Sequence, residues 1–130
     1  MPWVEIFSAF LVSHAAGDFL LQTEWQASHK RGGLGGDPVA RRALAGHVAT
    51  YTLAFVPVLI WLADDLGAGV IWLAALIAVP HLVQDDGRLL TWFMVSFKKM
   101  HPAERRDLAL AVDQSFHLLT LFATAVIAGG

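Results

Sequence analysis

The sequence predicts an all-α, polytopic membrane protein, namely a four-transmembrane-helix bundle with a short interfacial helix on its cytoplasmic side. Hydrophobic residues make up 56% of the 130 residues and charged residues only 15%, whereas soluble domains have about a quarter charged residues. Four stretches approach the roughly 20 apolar residues that a membrane-spanning helix needs. All nine Lys and Arg fall on one side of the resulting arrangement. The predicted spans are residues 3–22, 43–63, 69–87 and 108–128.

Composition and charge exclude several other classes of protein. The chain has no cysteine, so it cannot be a disulfide scaffold. Its formal net charge of -2 argues against a protein that binds phosphate backbones, and we expect no nucleic-acid partner. The apolar content excludes a disordered chain. We therefore expect residues 1–130 to form a single membrane domain whose main partner is the lipid bilayer.

The first span is predicted to be retained rather than cleaved as a signal peptide. It lacks a basic start and carries His14 and Asp18 in its interior. Residues 23–42 follow it and combine four basic residues with several glycines. Such a composition predicts a flexible polar loop.

The second and third spans each contain a proline. Pro57 and Pro80 each remove one helical hydrogen bond, which predicts a kink of the kind that membrane helices tolerate. The short connection between these spans carries two acidic residues, Asp64 and Asp65, and no basic residue. It is therefore expected on the side opposite the basic loops.

Residues 88–100 form a separate amphipathic element between the third and fourth spans. One interpretation is an interfacial helix on the cytoplasmic face. The other is an extension of the third span that packs on its neighbours. The apolar residues at helical spacing are Leu89, Leu90, Phe93, Met94 and Phe97, flanked by Arg88, Lys98 and Lys99.

The distribution of basic residues predicts the orientation. Loops rich in Lys and Arg face the cytoplasm, so both termini are expected on the outer side of the membrane. Tryptophans near span ends are typical of anchors at the membrane interface. The five tryptophans are Trp3, Trp25, Trp61, Trp72 and Trp92.

Three pairs of His and Asp lie four residues apart within the predicted spans, so each pair shares one helix face. A single aspartate at the centre of a membrane helix costs about 2.5–3.5 kcal/mol. Three of them need a cation, a proton or mutual hydrogen bonds to offset that cost. The pairs are His14 with Asp18, His81 with Asp85, and Asp113 with His117.

The order within the pairs reverses where the chain direction reverses. The histidine comes first in spans one and three, and the aspartate comes first in span four. All three aspartates therefore lie on the cytoplasmic side of their histidines. Span two adds His47 at the aspartate level and Tyr51 at the histidine level. We expect a layer of three Asp and one His above a layer of three His and one Tyr, opening toward the cytoplasm.

Imidazole and carboxylate groups together predict a divalent-metal site. The donor set suits Zn²⁺ best and also Fe, Mn or Ni, and helical bundles build metal sites from facing helices in this way. Seven donors exceed the four of one tetrahedral ion, so two ions fit. Two alternatives stay open, a metal-free proton relay and purely structural hydrogen bonding. The candidate ligands are His14, Asp18, His47, His81, Asp85, Asp113 and His117.

Four segments resemble one known family. The run HAAGDFLLQTEW at residues 14–25 is similar to the HxxxDFxLQ…W signature of the bacterial domain-of-unknown-function 3307 membrane family, and VDQSFH at 112–117 resembles its DQxxH element. LAGHVATY around His47 and PHLVQD at 80–85 fit as well. The resemblance implies a small multi-span inner-membrane protein with polar motifs inside the membrane. It implies no reaction.

Three functions remain open, and no catalytic residue is assigned. A metal-dependent hydrolase would use two ions to activate water, and its basic loops would attract a membrane-associated or anionic substrate. A divalent cation or proton transporter or channel is the second, because paired HxxxD motifs resemble the transport site of zinc-exporting cation diffusion facilitators. No second polar layer leads outward, so a transporter would need a homo-oligomer. The third is a metal-stapled or haem-binding scaffold without enzymatic activity. We favour hydrolysis slightly over transport.

Overall fold

The computed structural model describes residues 2–130, and this part of the chain is α-helical with two π-helical turns. The first π turn follows α1 directly and the second follows α6 directly. The helices are α1 (Trp3–Ala15), α2 (Glu24–His29), α3 (Pro38–Ala54), α4 (Val56–Leu66), α5 (Gly69–Asp86), α6 (Arg88–Phe93) and α7 (Arg106–Gly129), and the π turns are Ala16–Leu20 and Met94–Lys98.

Two of these helices, α5 and α7, are long and apolar enough to cross a membrane. Helices α3 and α4 make a third candidate when they are counted as one bent span. Helix α1 alone has 13 residues, but its backbone continues without a break into the π turn that ends at Leu20. The structure thus confirms an all-α chain with two or three helices that could span a membrane.

The second predicted span is bent at the place that its proline indicates. Helix α3 ends at Ala54, α4 begins at Val56, and their axes differ by 55°. Pro57 lies in the first turn of α4, where its missing N–H costs no hydrogen bond. Pro80, in contrast, lies inside an uninterrupted α5.

Residues 23–42 are folded rather than a flexible loop. Thr23 caps α2 through a reciprocal capping box with Gln26, and Asp37 caps α3. The glycine-rich turn between these helices is fixed to the end of α5, since Gly32 N–H donates to the Asp86 carbonyl oxygen over 2.8 Å. The glycine content predicted flexibility, but these caps and the hydrogen bond to α5 order the segment.

Both faces of the element at residues 88–98 are apolar. Leu90 and Met94 are buried against Ala109 and Val112 of α7. The opposite face exposes large apolar side chains. These are Leu89, Trp92, Val95 and Phe97. The element therefore packs on its neighbour, as expected for an extension of the third span. It also keeps an apolar outer face, as expected for an interfacial helix.

The main hydrophobic core lies away from the basic loops. It joins α1, α4, α5 and α7 through side chains that are almost fully buried. Phe10 of α1 contacts Phe55 edge to face, with ring centroids 5.6 Å apart. Tyr51 of α3 belongs to the same core and marks its boundary with the polar residues. The polar site therefore lies between this core and the basic end of the molecule.

Gly17 allows the π turn to approach α3 closely. A Cβ atom at this position would lie 2.6 Å from Tyr51 Cδ2 and 3.2 Å from Tyr51 Cα. The second contact involves backbone, so α3 would have to move. We expect Gly17→Ala to lower the free energy of unfolding by about 1–3 kcal/mol, measured by thermal unfolding in detergent.

Gly46→Ala is the matched control because Gly46 is also a helical glycine. Its added Cβ would meet only the flexible end of Gln26, at 3.2 Å. Alanine also has the higher helix propensity. Equal destabilisation by the two substitutions would contradict the close approach at Gly17.

Candidate metal centre

Asp85, one residue before the end of α5, lies at the centre of the polar site. Its Oδ2 atom lies 2.7 Å from His47 Nε2, 3.1 Å from His81 Nε2 and 2.8 Å from Lys30 Nζ. Its Oδ1 atom lies 3.1 Å from His117 Nε2. The side chain is only 2% exposed. Its two oxygens therefore face two different sets of partners.

The first ligand group consists of Asp18, His47, His81 and Asp85. The Nε2 atoms of His47 and His81 lie 2.9 Å apart, and Asp18 Oδ1 lies 3.1 Å and 3.3 Å from them. Four tetrahedral donors at zinc distances are separated from one another by about 3.3 Å. The observed separations fall at or slightly below that value. One ion would fit after the donors move apart by a few tenths of an ångström.

The surroundings of two donor atoms, one in each of two groups of ligands, also fit cation binding. Asp18 Oδ1 and His117 Nε2 are buried, and neither has a partner in hydrogen-bond geometry within residues 2–130. Yet each lies 3.1 Å from a polar atom, Asp18 Oδ1 from His47 Nε2 and His117 Nε2 from Asp85 Oδ1. Buried polar atoms normally pair through hydrogen bonds. Each atom therefore keeps a lone pair that a nearby cation would satisfy.

The second ligand group consists of Asp85, Asp113 and His117. His117 Nδ1 lies 2.7 Å from the Asp113 carbonyl oxygen and 3.7 Å from Asp113 Oδ2. A carbonyl oxygen only accepts, so Nδ1 carries the proton. The other ring nitrogen, Nε2, is thereby directed at Asp85.

The two groups share Asp85, which presents one oxygen to each. In all, six of the seven predicted ligands lie in groups whose donor atoms are within 4.8 Å of one another. A carboxylate that bridges in this manner places two cation positions side by side. The arrangement could therefore hold a pair of ions.

His14 lies beside these groups but outside both. Its Nδ1 is 2.9 Å from the Tyr51 hydroxyl and its Nε2 is 2.7 Å from Gln114 Oε1. The amide nitrogen of Gln114 in turn donates to Asp18 Oδ2 over 3.3 Å. His14 is itself 3.8 Å from Asp18, because the π turn changes the angular position of Asp18. In this arrangement His14 positions Asp18 through Gln114, and its role as a ligand stays a prediction.

The histidines gather at one level with Tyr51. The Tyr51 ring stacks on His81 with centroids 3.5 Å apart and planes 5° from parallel. His117 lies 4.6 Å from His81 and 5.5 Å from His14, measured between ring centroids. The antiparallel order of the pairs predicts these three imidazoles and this phenol in one layer, and their common depth stays a prediction. The stacked Tyr51 fixes the plane of His81.

The profile of the family described as "Protein of unknown function (DUF3307)" matches residues 6–129, which is nearly the whole chain. The chain belongs to the DUF3307 family. The resemblance to this family is therefore confirmed, and every residue of both ligand groups lies within the match. No curated protein and no solved structure matches the chain.

Lys30 is a site residue of this DUF3307 chain that the sequence did not indicate. Its ammonium group contacts Asp85 Oδ2 at 2.8 Å and donates to Gln22 Oε1 over 2.6 Å. The charge pattern suggested only a solvated loop lysine. The fold of residues 23–37 carries it inward, because α2 and the glycine-rich turn run back over the end of α5.

The three glutamines that flank the pairs have different partners. Gln114 hydrogen-bonds the imidazole of His14. Gln84 instead donates to Thr120 Oγ1 over 2.7 Å. Gln22 contacts Lys30. Only Gln114 therefore orients a histidine.

A pocket of 560 Å³ reaches the second group from the basic end of the molecule. Arg31, His101 and Arg106 lie on its walls, and Asp113 lies at its inner side. The Asp113 side chain is 13% exposed, against 1% for His117. Asp113 is therefore the ligand that solvent reaches most readily.

The opposite side of the site is closed by the hydrophobic core. Phe10, Phe55, Ile77 and Leu121 pack there and are at most 3% exposed. The site is thus open toward the basic loops and sealed behind the imidazole layer.

Proposed function

We propose that this DUF3307 chain is an integral inner-membrane protein with four membrane-spanning segments. The stretch Trp3–Leu20 supplies the fourth span, since it is about 27 Å long at 1.5 Å per residue. Apolar side chains on the outer faces of α5 and α7 support contact with lipid, because Ile71, Leu119 and Ile127 are 65–70% exposed. The basic loops face the cytoplasm and both termini lie outside.

The polar site binds two divalent metal ions that share Asp85. The convergence of six largely buried imidazole and carboxylate groups on two sites that have Asp85 in common carries this part of the proposal. Zinc is the proposed ion, because two imidazoles and two carboxylates form a common zinc donor set, which Fe, Mn or Ni also accept. The second group supplies only three ligands, and Asp113 is reached from solvent. An ion in this group would therefore have room for a substrate as a further ligand.

The function that this geometry supports best is metal-dependent hydrolysis of an anionic, membrane-associated substrate. Paired divalent ions activate water and withdraw charge from a phosphoryl or acyl group. Arg31 and Arg106 in the entrance pocket favour a negatively charged substrate. The hydrophobic core closes the site on its other side. This favours a reaction at a site that opens on one side only, rather than transport across the membrane.

Metal analysis of the purified protein tests the site first. We expect about two ions per chain in the intact protein and about one in His117→Ala, which removes a ligand of the second group only. Inductively coupled plasma mass spectrometry gives both numbers. A full complement of metal in His117→Ala would contradict the second ion.

Hydrolysis is then measured with the metal-loaded protein on a phosphate monoester, a phosphate diester and a carboxylic ester, each presented in mixed micelles. We expect turnover of at least one of them that chelation abolishes. Liposomes loaded with a zinc-sensitive dye separate the alternatives. Zinc flux without ester turnover would assign transport instead of hydrolysis.

Lys30 favours a second candidate, a metal-free network that exchanges protons. Its ammonium group already compensates Asp85, and an imidazolium next to Asp18 would compensate that second carboxylate. The Nδ1 atoms of His47 and His81 have no partner among residues 2–130, although metal-bound histidines usually donate their second N–H. Such a network would serve proton transfer in a transporter or a purely structural role.

A further inference from the structure

A second cavity lies beside the metal centre, between the glycine-rich turn and the element at residues 88–98. Its volume is 630 Å³, within the range of small-molecule sites. Arg31 and Arg88 form its polar end, and Trp92 and Val95 form its apolar wall. We call this cavity the arginine groove.

Two glycines lie next to the guanidinium groups of the arginine groove. A Cβ atom on Gly87 would lie 2.7 Å from Arg31 Nη1, and one on Gly35 would lie 2.6 Å from Arg88 Nη2. Each guanidinium group thus lies directly against the backbone of a glycine. Gly87 also has a φ of 88°, a conformation that favours glycine. The two positive groups therefore lie beside the backbone that borders the groove, and the Arg88 side chain is 63% exposed.

The charge of these arginines is only partly neutralised. Arg88 Nε lies 3.3 Å from Asp86 Oδ2, but Asp86 also accepts a hydrogen bond from Leu34 N–H at its other oxygen. Within the described part of the chain, no carboxylate lies within 4.0 Å of the Arg31 guanidinium. Asp86, which also lines the groove, thus pairs with Arg88 and leaves Arg31 without a close carboxylate. The groove keeps an excess positive charge that suits a singly charged phosphate diester.

The apolar wall continues out of the groove. Trp92 is 57% exposed and Val95 48%, and Leu89 and Phe97 extend the same face. An anion from solution would leave this wall uncovered, and an apolar ligand would leave Arg31 unpaired. A phosphate joined to acyl chains would pair with the arginines and also cover the apolar wall.

We propose that the arginine groove binds one anionic phospholipid, with its phosphate between Arg31 and Arg88 and an acyl chain along Trp92 and Val95. The site depends on the proposed membrane placement but not on metal binding or hydrolysis. Arg31 and Thr91 line both this groove and the pocket that leads to Asp113. The bound lipid therefore lies next to the entrance of the metal centre.

Native mass spectrometry of the full chain, released from micelles with equal phosphatidylglycerol and phosphatidylcholine, tests the site. We expect the protein to retain about tenfold more phosphatidylglycerol than phosphatidylcholine. Arg31→Gln with Arg88→Gln should remove that preference. Lys98→Gln with Lys99→Gln is the control, since it removes the same charge from exposed positions outside the groove.

Two further measurements keep the test decisive. Trp92→Ser alters only an exposed side chain and should lower phosphatidylglycerol retention severalfold, while helical content by circular dichroism and metal content stay unchanged. Adding glycerol phosphate in millimolar excess should displace little lipid. Equal loss in the arginine and lysine variants, no effect of Trp92→Ser, or full displacement by glycerol phosphate would each overturn the proposal.

Discussion

Replacing Asp85 with asparagine is expected to remove both metal ions at once. The substitution keeps the size of the side chain but takes away the charge of the one carboxylate that faces both ligand groups. A neutral amide is a poor ligand for zinc. We expect bound metal to fall from about two ions per chain to nearly none, and any ester hydrolysis to be lost with it.

Asp86→Asn provides the matched control in the next residue. Asp86 is as deeply buried as Asp85, at 4% against 3% exposed, but its Oδ1 atom accepts from Leu34 N–H over 2.9 Å. An asparagine oxygen can accept the same bond. Asp86→Asn should therefore keep about two ions. Loss of only one ion in Asp85→Asn would show that the two positions do not share this carboxylate.

Much of the site could be predicted because it depends on helix periodicity. The four-residue spacing of His81 and Asp85 places both on one face of α5, and the reversed order of Asp113 and His117 places them at the same level from an antiparallel helix. His47 follows from the same argument. These relations hold wherever the helices are continuous.

The exceptions lie where the backbone departs from the α-helix or where a contact is not periodic. The π turn after α1 moves Asp18 toward His47 and leaves His14 beside Tyr51 and Gln114. Helical periodicity assumes 100° per residue and cannot locate such a turn. The bend at Pro57 was predictable because proline imposes it locally.

Lys30 shows the same limit for electrostatics. The distribution of charge predicts that every lysine lies outside the membrane at the basic end of the molecule. The position of Lys30 in the loop after the first span agrees with this prediction. Its contact with Asp85 depends on the folding of the glycine-rich turn, and hence on the hydrogen bond between Gly32 and Asp86. No pattern in the sequence encodes that long-range bond.

Replacing Lys30 with methionine should distinguish a metal-loaded site from a metal-free network. A divalent ion and an ammonium group compete for the same oxygen of Asp85, which lies 2.8 Å from Lys30 Nζ. Removing the ammonium group therefore removes a repulsion from the bound ion. We expect the apparent dissociation constant for zinc to fall by about tenfold, measured by competition with a fluorescent chelator, with thermal stability retained in the presence of zinc.

The opposite result identifies Lys30 as the resident counter-ion. In a metal-free site, Lys30→Met leaves Asp85 buried without its cation, and breaking a buried pair in this way costs about 3–5 kcal/mol. Stability would then fall equally with and without zinc. Lys98→Met controls for the general loss of positive charge, because Lys98 is exposed and lies away from the site. The effect of zinc on the stability of Lys30→Met therefore decides which cation offsets the buried carboxylates.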